Sequence, residues 1–170
     1  MDELAAEAGL TKPMLYASFG DRAGVASALA ERFVGEVGQR LAAAMVTPSP
    51  PEQVLRRTLD AFVRFVEEDP NVYQFIVRES VKVAGAGATP SIARLGVFGA
   101  LGGLITAGVS YQLTLAGGDP ARAEPIAFAT MGMAFGAAEW WLDRKTMSRE
   151  QLVDILADLL WTGMRATPPG

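Results

Sequence analysis

The groups in this chain able to do acid–base chemistry are 19 carboxylates, 15 Lys and Arg side chains and three tyrosines, with no His and no Cys. That composition removes disulfides, thiolate nucleophiles, imidazole catalysis and metal sites built on Cys or His in one stroke. The carboxylates are scattered at helix ends and solvent faces, where capping and solubility are their ordinary uses. None is paired with a credible catalytic partner, and no hydroxyl sits beside a base. Gly85-Ala86-Gly87 follows no strand and lacks the rest of a phosphate-binding loop. The sequence therefore predicts no enzyme, no metal and no cofactor. Recognition is the chemistry that remains.

The elements that would position recognition residues come first in the chain. Asp2 to Ala8 reads as a short helix with Leu4, Ala5 and Ala8 on one face, and Gly9 supplies a left-handed turn. Leu10 plugs the corner. Thr11 is a good N-cap for the next helix, and Pro13 falls in its first turn, where a missing N–H costs nothing. Leu15 and Phe19, four apart, are expected to face inward, leaving Lys12, Met14, Tyr16 and Ala17 facing out. Gly20 ends this helix, and Asp21 caps a third with Arg22 in its first turn. Two short helices joined by a Gly-containing turn are the layout of a helix-turn-helix.

The wording of LAAEAGLTKPMLYASFGDR closely resembles the DNA-reading segment of TetR-type (tetracycline-repressor family) transcriptional regulators. Leu4, Ala5, Ala8, Gly9, Thr11, Lys12, Pro13, Leu15, Tyr16, Phe19 and Arg22 match in order and without a gap. The resemblance implies that Lys12, Met14 and Ala17 meet base edges, that Thr11, Tyr16 and Arg22 hold phosphates, and that Pro13 belongs to the same DNA-binding set. The family begins with an additional helix that brings basic residues to the DNA backbone, whereas this sequence starts at the family's second helix. Through Arg22 its basic side chains are Lys12 and Arg22 alone, against Asp2, Glu3, Glu7 and Asp21. Phosphate neutralisation drives non-specific affinity, so this balance weakens it. A second reading stays open: a dimeric small-molecule-binding protein that has lost DNA binding through N-terminal shortening.

The remaining sequence predicts more helices. The 170 residues are half hydrophobic with a net charge of −4, enough for one or two domains with an ample core. An acidic chain confines any nucleic-acid role to a local patch. Helix three is predicted from Arg22 to about Ala44, with Val25, Leu29, Phe33, Val37 and Leu41 as its apolar stripe. Thr47 to Pro51 is a proline-rich break, and Ser49-Pro50-Pro51-Glu52 then reads as a capping box. Further helices are expected to about Asp69, over Asn71 to Val83, over Ser91 to Leu115, and from Asp119-Pro120 to about Asp143. Val83 to Pro90 is a loop, and Pro125 should kink or delay the start of its helix. Ser148 and Gln151 form a capping box for the last helix. From Leu95 to Gly118 no residue is charged, a run long enough to span a bilayer, with Gly99 and Gly103 in GxxxG spacing. Its seven glycines, its polar residues and the lack of basic flanks favour a buried helix over a membrane span.

The class is therefore all-α, a truncated N-terminal helix-turn-helix domain (1–44) followed by a ligand-binding and dimerisation domain (45–170). The middle helices offer Phe62, Phe65, Tyr73, Phe98, Leu101, Ile105, Tyr111, Met131 and Phe135 to line an apolar pocket. Arg78 and Gln112 are polar groups able to orient a ligand. The family resemblance implies an inducer held there and a four-helix interface between two copies, for which Met133, Ala137, Trp141, Leu152, Leu156, Leu159 and Met164 are the candidates. The expected function is that of a ligand-responsive transcriptional regulator, a repressor, acting as a cytoplasmic homodimer. Its partners would be double-stranded operator DNA and a small-molecule effector, with no membrane.

Overall fold

The structure, a computed structural model, describes residues 9, 11–82 and 91–166, and every regular element in that set is helical. In chain order these are α1 (Lys12–Phe19), α2 (Arg22–Val46), α3 (Pro51–Glu68), α4 (Pro70–Lys82) and α5 (Ser91–Leu115). A 3₁₀ turn (Pro120–Arg122), α6 (Ala123–Arg144) and α7 (Arg149–Ala166) complete the fold. The helix expected over Asp2 to Ala8 and the loop expected over Val83 to Pro90 lie outside the described residues.

Most helix ends follow from local chemistry. Asp21 caps α2 by accepting the Gly24 N–H at 2.9 Å. At Ser148 the box is reciprocal: its N–H donates to Gln151 Oε1 at 2.9 Å, and the Gln151 N–H returns to Ser148 Oγ at 3.3 Å. Pro125 falls in the first turn of α6, because the 3₁₀ turn capped by Asp119 delays the helix start to Ala123. The capping box expected at Ser49 does not form. Pro50 is the N-cap, so α3 starts one residue too late for Ser49 to serve. The Ser49 hydroxyl instead donates to the Pro48 carbonyl at 2.6 Å and accepts from Arg57 Nη1 at 3.1 Å. Arg57 Nη2 also donates to the Thr47 carbonyl at 2.8 Å, which fixes the proline-rich link against α3.

One core joins α2 to the rest. Phe33, Val37 and Leu41 of α2 are buried with Leu59, Phe62, Val63 and Val66 of α3, Leu101 and Ile105 of α5, and Met131, Phe135 and Ala138 of α6. Helix α5, uncharged from Leu95 onward, lies against α2 and α6. Glycines permit those approaches, though not the pair that the sequence singled out. A Cβ at Gly102 would stand 2.7 Å from the Phe128 ring, and one at Gly108 would strike the Met45 sulfur. At Gly99 and Gly103 a Cβ would meet open space. Gly96–Leu115 is long and apolar enough to cross a membrane, yet Val97, Leu101 and Ile105 face this core.

Polar seams tie the outer helices on. Arg149 of α7 reaches Asp60 at 2.6 Å and Glu67 at 3.3 Å on α3, while Arg56 of α3 pairs with Asp154 and, at 3.0 Å, with Asp158 on α7. Exposed pairs contribute at most about 1 kcal/mol each, so apolar contact carries this seam. Inside, the Tyr73 hydroxyl donates to the Phe135 carbonyl at 2.9 Å. Burial, and next the charge of Glu139, push the Tyr73 phenol above its ordinary pKa. A raised folded-state pKa means that the contribution of Tyr73 is whole below the unfolded value of about 10 and is lost as pH rises beyond it. Tyr73→Phe should therefore cost about 1 kcal/mol near neutrality and remove this part of the alkaline instability. Denaturant midpoints at pH 8 and pH 11 measure both effects.

Candidate functional site

Helix α1 carries the first candidate surface. Met14 is 53% and Tyr16 47% exposed, and Thr11, Pro13 and Ala17 are exposed beside them. The side chains of Lys12, Leu15 and Arg22 lie outside the described residues. Phe19, expected to face inward, is 37% exposed, since it occupies the last position of α1 just before the turn at Gly20. Thr11 has the extended backbone of an N-cap, but its side chain makes no capping hydrogen bond. Pro13 supplies no N–H at the second helical position, one of the two that a capping hydroxyl takes. The hydroxyl thus stands at the exposed N-terminal end of α1, where helix N–H groups favour an anion.

The second candidate is a cavity walled by α2, α3, α5 and α6. Phe62, Leu101, Ile105, Met131 and Phe135 line it as expected pocket residues, together with Leu41, Thr58, Leu59, Thr130 and Ala134, which sequence reasoning missed. Thr58 and Leu59 precede Phe62 by about one turn, and Thr130 and Ala134 adjoin Met131 and Phe135, so helical spacing was the available signal. The Thr58 hydroxyl is engaged with the Val54 carbonyl at 2.8 Å. Volume decides the state of this cavity. It holds about 30 Å³, whereas small-molecule sites occupy some 300–1,000 Å³. It is too small for an effector, which would have to displace side chains to enter.

Several expected pocket residues stand elsewhere. Phe65 packs edge-on against Phe33 with ring centres 5.1 Å apart, under the Arg40 guanidinium. Phe98 stacks on the outside of Phe135 at 4.6 Å. Tyr73 belongs to a separate cleft of about 90 Å³ between α4 and α6, with Gln74, Val77, Glu139, Leu142 and Asp143. Tyr111 is 62% exposed, because it lies near the C-terminal end of α5, beyond Ile105, the last buried residue of that helix. Gln112 is half-buried and does not line the cavity. The Arg78 side chain lies outside the described residues.

The third candidate is the outer face of α6 and α7. Phe128, Met133, Trp140, Ile155 and Leu159 are large, apolar and exposed there, and Gly132 and Gly136 leave open space between them. Of the expected interface residues, Met133 and Leu159 share this face. Trp141, Leu152 and Leu156 do not, being buried in their own subunit's core, and Ala137 and Met164 are half-buried against it. The Trp141 indole N–H donates to the Met147 carbonyl at 2.8 Å, and the Lys145 ammonium sits 4.2 Å over its ring, which holds the side chain inward. The outward stripe is offset by one residue on α6, and on α7 it passes through Ile155 and Leu159.

An all-helical body with an exposed short N-terminal helix and an apolar outer face on α6 and α7 has the layout expected of a helix-turn-helix regulator. The family description "Tetracyclin repressor-like, C-terminal domain" matches residues 40–169, and the chain belongs to that family. The HTH-type transcriptional activator FasR of Mycolicibacterium smegmatis is 26% identical over 179 residues, spanning 99% of this chain and 74% of the relative. An HTH-type transcriptional regulator of Mycobacterium tuberculosis is 26% identical over 168 residues, spanning 96% of this chain and 68% of its own length. The chain is thus a transcriptional regulator of helix-turn-helix type and not an enzyme.

Proposed function

We propose that this chain is a ligand-responsive, DNA-binding regulator that acts as a cytoplasmic homodimer, with residues 1–44 reading duplex DNA and residues 45–170 holding the effector and joining the copies. The observation that carries the reading is the pairing of two exposed surfaces on one body. Met14, Tyr16 and Ala17 of α1 face solvent, and so do the large apolar side chains of α6 and α7. Helix α2 connects them, its N-terminus at α1 and its Phe33–Leu41 stretch inside the common core. A two-fold dimer would set two α1 helices against half-sites about 34 Å apart or a multiple of that. An effector entering among Phe62, Met131 and Phe135 would press on Leu41 of α2 across the same cavity. It would favour whichever separation of the two α1 helices leaves the cavity open, through its differential affinity for the two states.

Repression is the simplest output, a dimer occluding a promoter until the effector opens the cavity. The relative named as an activator favours the opposite sign as a second reading. Fluorescence anisotropy with a labelled duplex at low salt tests the common part. Binding that survives competitor DNA supports the regulator. Absence of binding at micromolar protein supports instead a dimeric small-molecule-binding protein that has lost DNA reading. A reporter driven by the bound promoter then gives the sign: output that rises when the regulator is deleted means repression.

A further inference from the structure

We propose that Gly20 and Gly24 together fix the angle at which α1 leaves α2, so that Gly24 is a positioning residue for DNA reading; this rests on α1 being the DNA-contacting helix. Gly20 has φ 73° and ψ −70°, and across it the Asp21 N–H donates to the Phe19 carbonyl at 2.8 Å. That is a three-residue γ-turn with positive φ, a conformation strained for any residue bearing a Cβ. The tight turn folds the last carbonyl of α1 back over the first turn of α2. A Cβ on Gly24 would fall on the Phe19 carbonyl oxygen and stand 2.9 Å from its carbon. Both obstacles are backbone atoms, so no side-chain rotation relieves the collision. Asp21 closes the elbow from the other side, its carboxylate holding the Gly24 N–H at 2.9 Å and its carbonyl accepting from Val25 at 3.2 Å.

Glycine inside a helix is unfavourable relative to alanine, and the contact with Phe19 supplies the reason for it at this position. Gly35, in the same helix, meets open space and has no such reason. Any side chain at residue 24 must push α1 away from α2. Since the dimer seam sets where the two α2 helices lie, each shifted α1 would change the half-site separation that the pair can span.

The test is selection of duplexes from a random 40-base-pair pool by the full-length wild type, Gly24→Ala and Gly35→Ala, with circular dichroism on each. The wild type and Gly35→Ala should enrich the same two-fold-symmetric duplex. Gly24→Ala, with helicity intact, should bind that duplex at least about tenfold more weakly and enrich sites of altered half-site separation. If Gly24→Ala loses helicity, Asp21→Ala decides, because it opens the elbow without adding atoms; it should weaken the same duplex by about threefold or more. Wild-type affinity and separation in the folded Gly24→Ala protein, or in Asp21→Ala when that variant decides, overturn the proposal. Failure of the wild type to enrich any duplex overturns the DNA-reading function itself, and the positioning role with it.

Discussion

Leu159→Arg is expected to turn a dimer into a monomer at micromolar concentration and to weaken DNA binding by about a hundredfold or more, because linked half-site contacts gain some 10²–10⁴ in effective affinity. Leu159 is 60% exposed on the outer face of α7, beside exposed Ile155. Its side chain costs the free subunit little to replace. In a two-fold seam the residue meets the same apolar patch on its partner, and two guanidinium groups buried without counter-ions would cost several kcal/mol. Asp154 and Asp158 of the same helix are already engaged by Arg56. Sedimentation and anisotropy read the two effects separately. A variant still dimeric would remove the outer face of α7 from the interface, and Trp140→Arg would then examine α6 alone.

The second large effect concerns the aromatic wall. Phe135→Ala should destabilise the fold by about 3–5 kcal/mol, the range for deleting a buried Phe ring. For a chain of this size that corresponds to a fall of roughly 8–15 °C in Tm. The Phe135 ring touches Phe62 at 4.8 Å, Phe98 at 4.6 Å and Tyr73 at 5.8 Å between centres, so few neighbours are able to collapse into the space without unpacking one another. The Tyr73 hydrogen bond goes to the backbone of residue 135 and survives the substitution. Because the vacated space joins an apolar cavity already lined by Leu101, Ile105 and Met131, it should stay dry and admit a benzene-sized probe. Recovery of part of the lost Tm on adding benzene, in the variant and not in the wild type, would show that this wall gates the effector chamber. A loss below 1 kcal/mol would mean that the ring is not packed as described.

How much of this was legible in the sequence varies by element. The buried stripe of α2 through Val25, Phe33, Val37 and Leu41 was readable because polar and small residues fill its other side. The cavity was half readable. Leu101 with Ile105 and Met131 with Phe135 follow i, i+4 spacing, but Thr58 and Thr130 look polar, and only packing reveals that they line the same space. The exposed apolar face of α6 and α7 was less readable still, because both helices are apolar around much of their circumference. Trp140 and Trp141 are equally hydrophobic neighbours. Trp141 continues the buried stripe of small residues Ala127, Thr130, Ala134 and Ala138, which does not read as a core face in sequence, and its hydrogen bond to Met147 beyond the helix end secures it there. The elbow was invisible, since a glycine at position 24 reads as a weak helix residue until the Phe19 carbonyl appears above it.

The central claim is that the outward face of α1 touches DNA. The chain has no cysteine, so Ala17→Cys and Ala100→Cys each carry a single thiol-linked photo-crosslinker, one on exposed α1 and one on the exposed side of α5. Irradiated with labelled duplex at low salt, the position-17 protein should become covalently joined to DNA and the position-100 protein should not. Equal labelling at both positions, or none at position 17, would contradict the account.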